Sequence, residues 1–114
     1  DLRFPVWFRN RGDYDALLCV ANWPAARREV WNTLLRARAI ENQVYAAGVN
    51  IVGVDGAGVS YSGGSAVYAP DGEVLAELPD EAGIINCTFD ADRLESLRES
   101  FPVGDDADQF ELVE

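Results

Sequence analysis

Ala25-Ala26-Arg27-Arg28-Glu29-Val30-Trp31-Asn32-Thr33-Leu34-Leu35-Arg36-Ala37-Arg38-Ala39-Ile40-Glu41-Asn42-Gln43-Val44-Tyr45-Ala46-Ala47-Gly48-Val49-Asn50-Ile51-Val52-Gly53-Val54 is the stretch on which the fold turns. Val30, Leu34, Ala37 and Val44 recur at helical spacing, so residues 25 to about 47 predict a helix with one apolar stripe. Gly48 then ends it, as a C-terminal glycine does, and Val49 to Val54 predicts a strand. Glu41 lies on the same stripe. A buried carboxylate must be paired or hydrogen-bonded, and Arg36 and Arg38 are the local cations, although Arg38 leans off that face.

Working outward, Pro24 breaks a short apolar run from Tyr14 to Ala21, which predicts a buried strand. Before it, Leu2, Phe4, Val6, Trp7 and Phe8 predict a loop entering a short helix that stops at Gly12. After it, Asp55 to Gly64 carries Gly and Ser without an apolar period and predicts a loop. Pro70-Asp71-Gly72 between Ser65–Ala69 and Glu73–Leu78 is a hairpin signal. Gly83 to Phe89 predicts one more strand, and Asp90 caps a helix from Ala91 to about Ser100 with Leu94 and Leu97 on its apolar side. Helices and strands mix throughout, so the class is α/β or α+β. Four or five strands with two long helices leave one sheet face uncovered, which fits half of a larger sandwich better than a complete domain.

Composition narrows the chemistry. Of 114 residues, 48% are apolar, enough for a core, and none of the apolar runs approaches a membrane span. Twenty acids against nine bases give −11, an argument against nucleic acid and anionic membrane as partners. All nine bases are Arg; either an acidic, halophile-like proteome or a GC-rich genome accounts for this. With no His, the chain alone cannot build Ser–His or Cys–His catalysis and lacks the commonest zinc ligand. With no Lys, Schiff-base chemistry is also excluded. No cofactor or metal is expected. Cys19 and Cys87 sit in apolar runs and are expected to be buried, reduced thiols of a cytoplasmic protein. Gly56, Gly58, Gly63 and Gly64 match neither a dinucleotide nor a P-loop fingerprint, and predict a flexible loop near a pocket or an interface. The chain has no Met and opens on Asp1 within what reads as a structured segment, so a longer parent is expected.

Five pieces in order resemble the nitrilase superfamily of carbon–nitrogen hydrolases: Asp1-Leu2-Arg3-Phe4-Pro5, Val20-Ala21-Asn22-Trp23-Pro24, Arg36 to Gln43, the Gly64-Ser65 to Val74-Leu75 hairpin, and the acidic tail Asp105-Asp106-Ala107-Asp108 with Phe110. The tail resembles the omega-amidase-like bacterial branch. The resemblance covers residues 1–112 and implies half of a four-layer α-β-β-α sandwich, with 1–114 as the C-terminal portion of a single domain. It implies a Glu base, a Lys and a Cys nucleophile upstream, with the Cys two residues before Asp1, so that no catalytic residue lies in this chain. It implies hydrolysis of a small omega-amide such as 2-oxoglutaramate through a cysteine thioester. Nitrile or N-carbamoyl hydrolysis, a non-catalytic interaction module and a degenerate member that has lost its nucleophile are the alternatives.

For individual residues the readings are paired. Arg3 either grips a substrate carboxylate through its planar fork or helps hold the nucleophile turn together with Asp1. Asn22 and Trp23, at a strand end, either line the pocket or cap a turn and fill the core. Glu41 and Arg38 are expected to support the site from behind. Cys19 lacks a neighbouring base and is expected to be a strand thiol, not a nucleophile. The expected partners are a small amide, the N-terminal half of the same domain and a second copy in a homodimer, to whose interface Trp7, Phe8 and Phe110 are candidates.

Overall fold

The computed structural model describes residues 1–113. Its elements are α1 (Pro5–Phe8), β1 (Ala16–Ala21), α2 (Arg28–Asn42), β2 (Tyr45–Asn50), β3 (Val52–Val54), β4 (Ser60–Ser62), β5 (Ser65–Tyr68), β6 (Val74–Leu78) and α3 (Ala91–Ser100). The main sheet runs β1-β2-β5-β6, and β3 and β4 form a separate hairpin. β1 and β2 are parallel, with α2 as their crossover; β2–β5 and β5–β6 are antiparallel. This is a mixed α+β architecture, in agreement with the class read from the sequence.

The central helix is shorter than its pattern suggests. It stops at Asn42, and Gln43 takes a left-handed conformation (φ 48°) while its N–H donates to the Ala39 and Ile40 carbonyls. Val44 and Tyr45, β-branched and aromatic, then leave the helix for the sheet. Gly48 is therefore not a helix stop. It lies inside β2, facing α2, where an added Cβ would stand 2.3 Å from Leu35 Cδ2 and 2.7 Å from Trp31 Cζ2. Its missing side chain lets helix and sheet close on each other.

The buried stripe of α2 is also rotated from the expected one. Trp31, Leu35, Arg38, Ala39 and Asn42 are buried, whereas Val30, Leu34 and Ala37 are only partly covered and Glu41 is exposed. Trp31 and Leu35 are fully buried and join Leu2, Ala39, Ala46, Ala66 and Tyr68 in one core, flanked by Leu17, Cys19, Ala21, Trp23 and Leu34. The Trp31 indole N–H donates to the Gly64 carbonyl at 2.9 Å, so the largest core side chain leaves no orphan donor.

A smaller cluster of Tyr45, Ala69, Leu94 and Leu75 seats α3 on the sheet. The Asp90 carboxylate accepts from the Asp92 and Arg93 N–H groups, the expected N-cap. The predicted strand at 83–89 is absent. That segment crosses the surface without a ladder, and Phe89 stacks on Tyr45 with ring centroids 4.8 Å apart. Cys87 lies on it and is exposed, contrary to the expected buried thiol. The predicted loop at 55–64 instead holds β4, shaped by Asp55: its carboxylate accepts from the Ala57 and Val59 N–H groups and from the Tyr61 hydroxyl. The Val59 N–H foremost, then Tyr61, holds the Asp55 carboxyl below the usual carboxylate range.

β1 alternates partly covered and exposed residues, so it is half-buried rather than buried. Leu17, Cys19 and Ala21 face α2, whereas Leu18 (71% exposed) and Val20 (83%) face away. Their register partners on β2 are Ala47 and Val49, the latter also exposed. One face of the sheet thus presents an uncovered aliphatic patch.

Candidate functional site

The contact of Arg3 with Trp23 puts the N-terminal segment beside the end of β1. Leu2 is buried in the core and anchors that segment, leaving Asp1 and Arg3 exposed on either side of it. The Arg3 guanidinium lies over the Trp23 ring, 5.3 Å from its centroid. This is cation–π geometry that holds the cation in place without neutralising it. Trp23 in turn packs at a tilt on Trp31, 5.8 Å between centroids, and its indole N–H donates to the Arg27 carbonyl at 2.7 Å. Asn22, the residue before it, is exposed. The structure therefore brings Arg3 and Trp23 into direct contact, with exposed Asn22 adjacent in the chain.

Arg38 is 4% exposed. Its Nε and Nη2 both donate to the Leu2 carbonyl, at 3.1 and 2.5 Å, and its Nη1 pairs with Glu41 at 3.0 Å. The sequence placed Glu41 on the buried side and Arg38 off it; the positions are reversed, because the helix stripe is rotated. Of the two candidate cations for Glu41, Arg36 and Arg38, it is Arg38 that pairs with it. Next to them Asn42 Oδ1 accepts the Asn10 N–H at 2.9 Å, while the Asn10 amide donates to the Asn42 and Tyr14 carbonyls. Through Arg38 and Asn42, α2 grips the chain ahead of β1 at two points.

Asn50 was not singled out by sequence. It is buried and bonded to both backbone groups of Trp23. A polar residue between Val49 and Ile51 was the available signal. Cys19 is half-buried on β1, and burial pushes its thiol up, which is unfavourable for a nucleophile. A surface recess between the chain around Arg9–Gly12 and the tail around Gly104–Glu111 shares no residue with the Arg3–Trp23 pair. There the Arg11 guanidinium sits 5.0 Å from the Phe110 ring centroid and donates to the Phe110 carbonyl. Among the described residues no helix is long and apolar enough to cross a membrane.

The carbon-nitrogen hydrolase family model matches residues 6–99. The chain is 52% identical over 113 residues to omega-amidase YafV of Escherichia coli, covering 98% of this chain and 44% of that protein. It is 41% identical over 108 residues to 2-oxoglutaramate amidase of Bacillus subtilis, covering 93% and 41%. A solved CN-hydrolase superfamily protein from Xanthomonas campestris superposes with a TM-score of 0.96 at 46% identity, covering 99% of this chain and 46% of that one. The chain thus spans less than half the length of these relatives. With sequence and architecture in agreement, the chain belongs to the carbon–nitrogen hydrolase family of the nitrilase superfamily, on its omega-amidase-like branch.

Proposed function

We propose that this chain is the C-terminal portion of a single amidase domain that hydrolyses the C–N bond of a small omega-amide, of the 2-oxoglutaramate type, to acid and ammonia. The observation that carries this reading is the exposed Arg3 guanidinium held over Trp23 beside the end of β1. A fixed, solvent-facing Arg suits the free carboxylate of a dicarboxylic monoamide. Trp23 and Asn22 form the adjoining wall. Arg38, with Glu41, and Asp1 shape the backbone that carries Arg3.

The bare aliphatic face of β1 and β2 supports a second half packed against this one, as in a four-layer sandwich. That half supplies the reacting groups: a Cys nucleophile two residues before Asp1, a Glu base and a Lys. Glu takes the thiol proton as the Cys sulfur attacks the amide carbon, and the tetrahedral oxyanion is held by the Lys and a backbone N–H. The C–N bond breaks as Glu passes a proton to nitrogen, and ammonia leaves. Water, deprotonated by Glu, then cleaves the thioester, releasing the acid and the free thiol. The protein is cytoplasmic and works as a homodimer in this reading, needing no cofactor.

The test is ammonia release from 2-oxoglutaramate by the protein with both halves, before and after a cysteine alkylator. Activity that alkylation abolishes, with the label on a cysteine ahead of Asp1, supports the reading. A label found only on Cys19 or Cys87, or no turnover of any omega-amide, refutes it.

A further inference from the structure

Asn50 closes β2 with a buried polar side chain. Its Oδ1 accepts the Trp23 N–H at 2.7 Å, and its Nδ2 donates to the Trp23 carbonyl at 3.0 Å and the Gly63 carbonyl at 2.8 Å. Its own N–H donates to Ser65 Oγ at 2.9 Å. One amide therefore takes both backbone polar groups of Trp23 and ties them to β2 and to the turn before β5. Only a primary amide offers an acceptor and two donors without charge. An ionised Asp would face two carbonyl oxygens with no donor.

Trp23 is also the residue on which Arg3 rests. A continuous path of two contacts thus runs from buried Asn50 to the exposed guanidinium. We propose that Asn50 is a positioning residue for substrate recognition: by fixing the Trp23 backbone it sets the plane of the indole that supports Arg3, and so sets the affinity for the substrate's free carboxylate. This rests on the reading of Arg3 as the carboxylate-binding group. It assigns Asn50 to recognition of the far end of the substrate, not to the chemistry at the amide carbon.

The test uses the protein with both halves and compares wild type with Asn50→Asp. Succinate binding is measured by calorimetry, turnover is measured on succinamate and on uncharged butyramide, and the Trp23 indole N–H is followed by NMR with the Trp31 indole as internal reference. Loss of one buried and one part-buried hydrogen bond predicts about a tenfold weaker succinate affinity and a similar rise in KM for succinamate. Butyramide is expected to lose at most about twofold, kcat to change little, and the Trp23 resonance to move while that of Trp31 stays.

Ser65→Ala loosens the Asn50 backbone without removing its amide, and gives the same pattern at smaller size even where N50D does not fold. Equal effects on both amides overturn the proposal. So does a moved Trp23 resonance with unchanged succinate affinity, a wild type that does not bind succinate, or a Ser65→Ala indistinguishable from wild type beside an unfolded N50D. A protein that binds succinate, loses that binding in N50D and yet hydrolyses no omega-amide discards the amidase reading and leaves the role of Asn50 standing.

Discussion

Arg38→Met separates two explanations of how α2 holds the N-terminal segment. The guanidinium bonds twice to the Leu2 carbonyl and once to Glu41. The Glu41 side chain is 43% exposed, so that ion pair is bathed in water and contributes at most about 1 kcal/mol. The Leu2 carbonyl has no such recourse. Without Arg38 a buried acceptor loses a charged donor, which costs about 1.5–3 kcal/mol. Met fills the stem's volume, so the cavity contribution is small. Arg38→Met is therefore expected to cost about 2–4 kcal/mol, and Glu41→Gln under about 1 kcal/mol. At an m-value of about 2 kcal/mol/M, the first lowers the urea midpoint by about 1–2 M and the second by less than about 0.5 M. Urea titrations of both single variants and the double variant, with both halves of the domain present, read these shifts. If Glu41→Gln costs as much as Arg38→Met, the ion pair is the dominant contact and the carbonyl clamp is not.

Gly48→Ala is expected to cost about 1–3 kcal/mol or more, because its Cβ meets Leu35 at 2.3 Å, whereas Gly56→Ala, with nothing within 4 Å, stays within about 0.5 kcal/mol; thermal melts of the pair check this. Asp90→Ala removes the α3 cap and is expected to cost about 1 kcal/mol, read as faster amide exchange at Asp92 and Arg93. Cys87 is expected to alkylate first, and the half-buried Cys19 more slowly with its rate profile displaced to higher pH. Folding favours the neutral Cys19 thiol, so that contribution to stability is present below the ordinary thiol pKa and is lost as pH rises through and beyond it. Coincident labelling profiles by mass spectrometry would refute the difference.

The sequence carried the element order well where one local rule sufficed. Pro70-Asp71-Gly72 made its hairpin, and Asp90 made its cap. It carried phase poorly. Val30, Leu34 and Ala37 form a regular stripe, but Trp31 and Leu35 present more apolar surface and win the core, rotating Glu41 outward and Arg38 inward. The helix end was misplaced because Gly48 suggests a stop, while its actual reason is tertiary: two α2 side chains need the space its Cβ would fill. Gly83 to Phe89 has strand composition but pairs with no strand, so propensity alone did not make it a strand. At the site, Arg3 and Trp23 were each legible as polar or aromatic residues at a segment end. Their contact was not, since it depends on how the N-terminal segment lies against β1. Asn50 carried only the weak signal of a polar residue between Val49 and Ile51, and its role was hidden for the same reason: its three partners come from two other segments.

β2 is the one strand of the main sheet that joins a parallel neighbour to an antiparallel one, and it sits directly under α2. This has a kinetic side. β1, α2 and β2 close as one parallel crossover unit through a helix that forms locally, whereas the β5–β6 hairpin can form on its own and dock later. Ala46 to Gly48 are then laddered on both flanks, and Ala46 and Gly48 are roofed by Trp31 and Leu35. Their amides should be the last to exchange with solvent, so that opening at these three residues amounts to loss of the whole fold rather than fraying of a part.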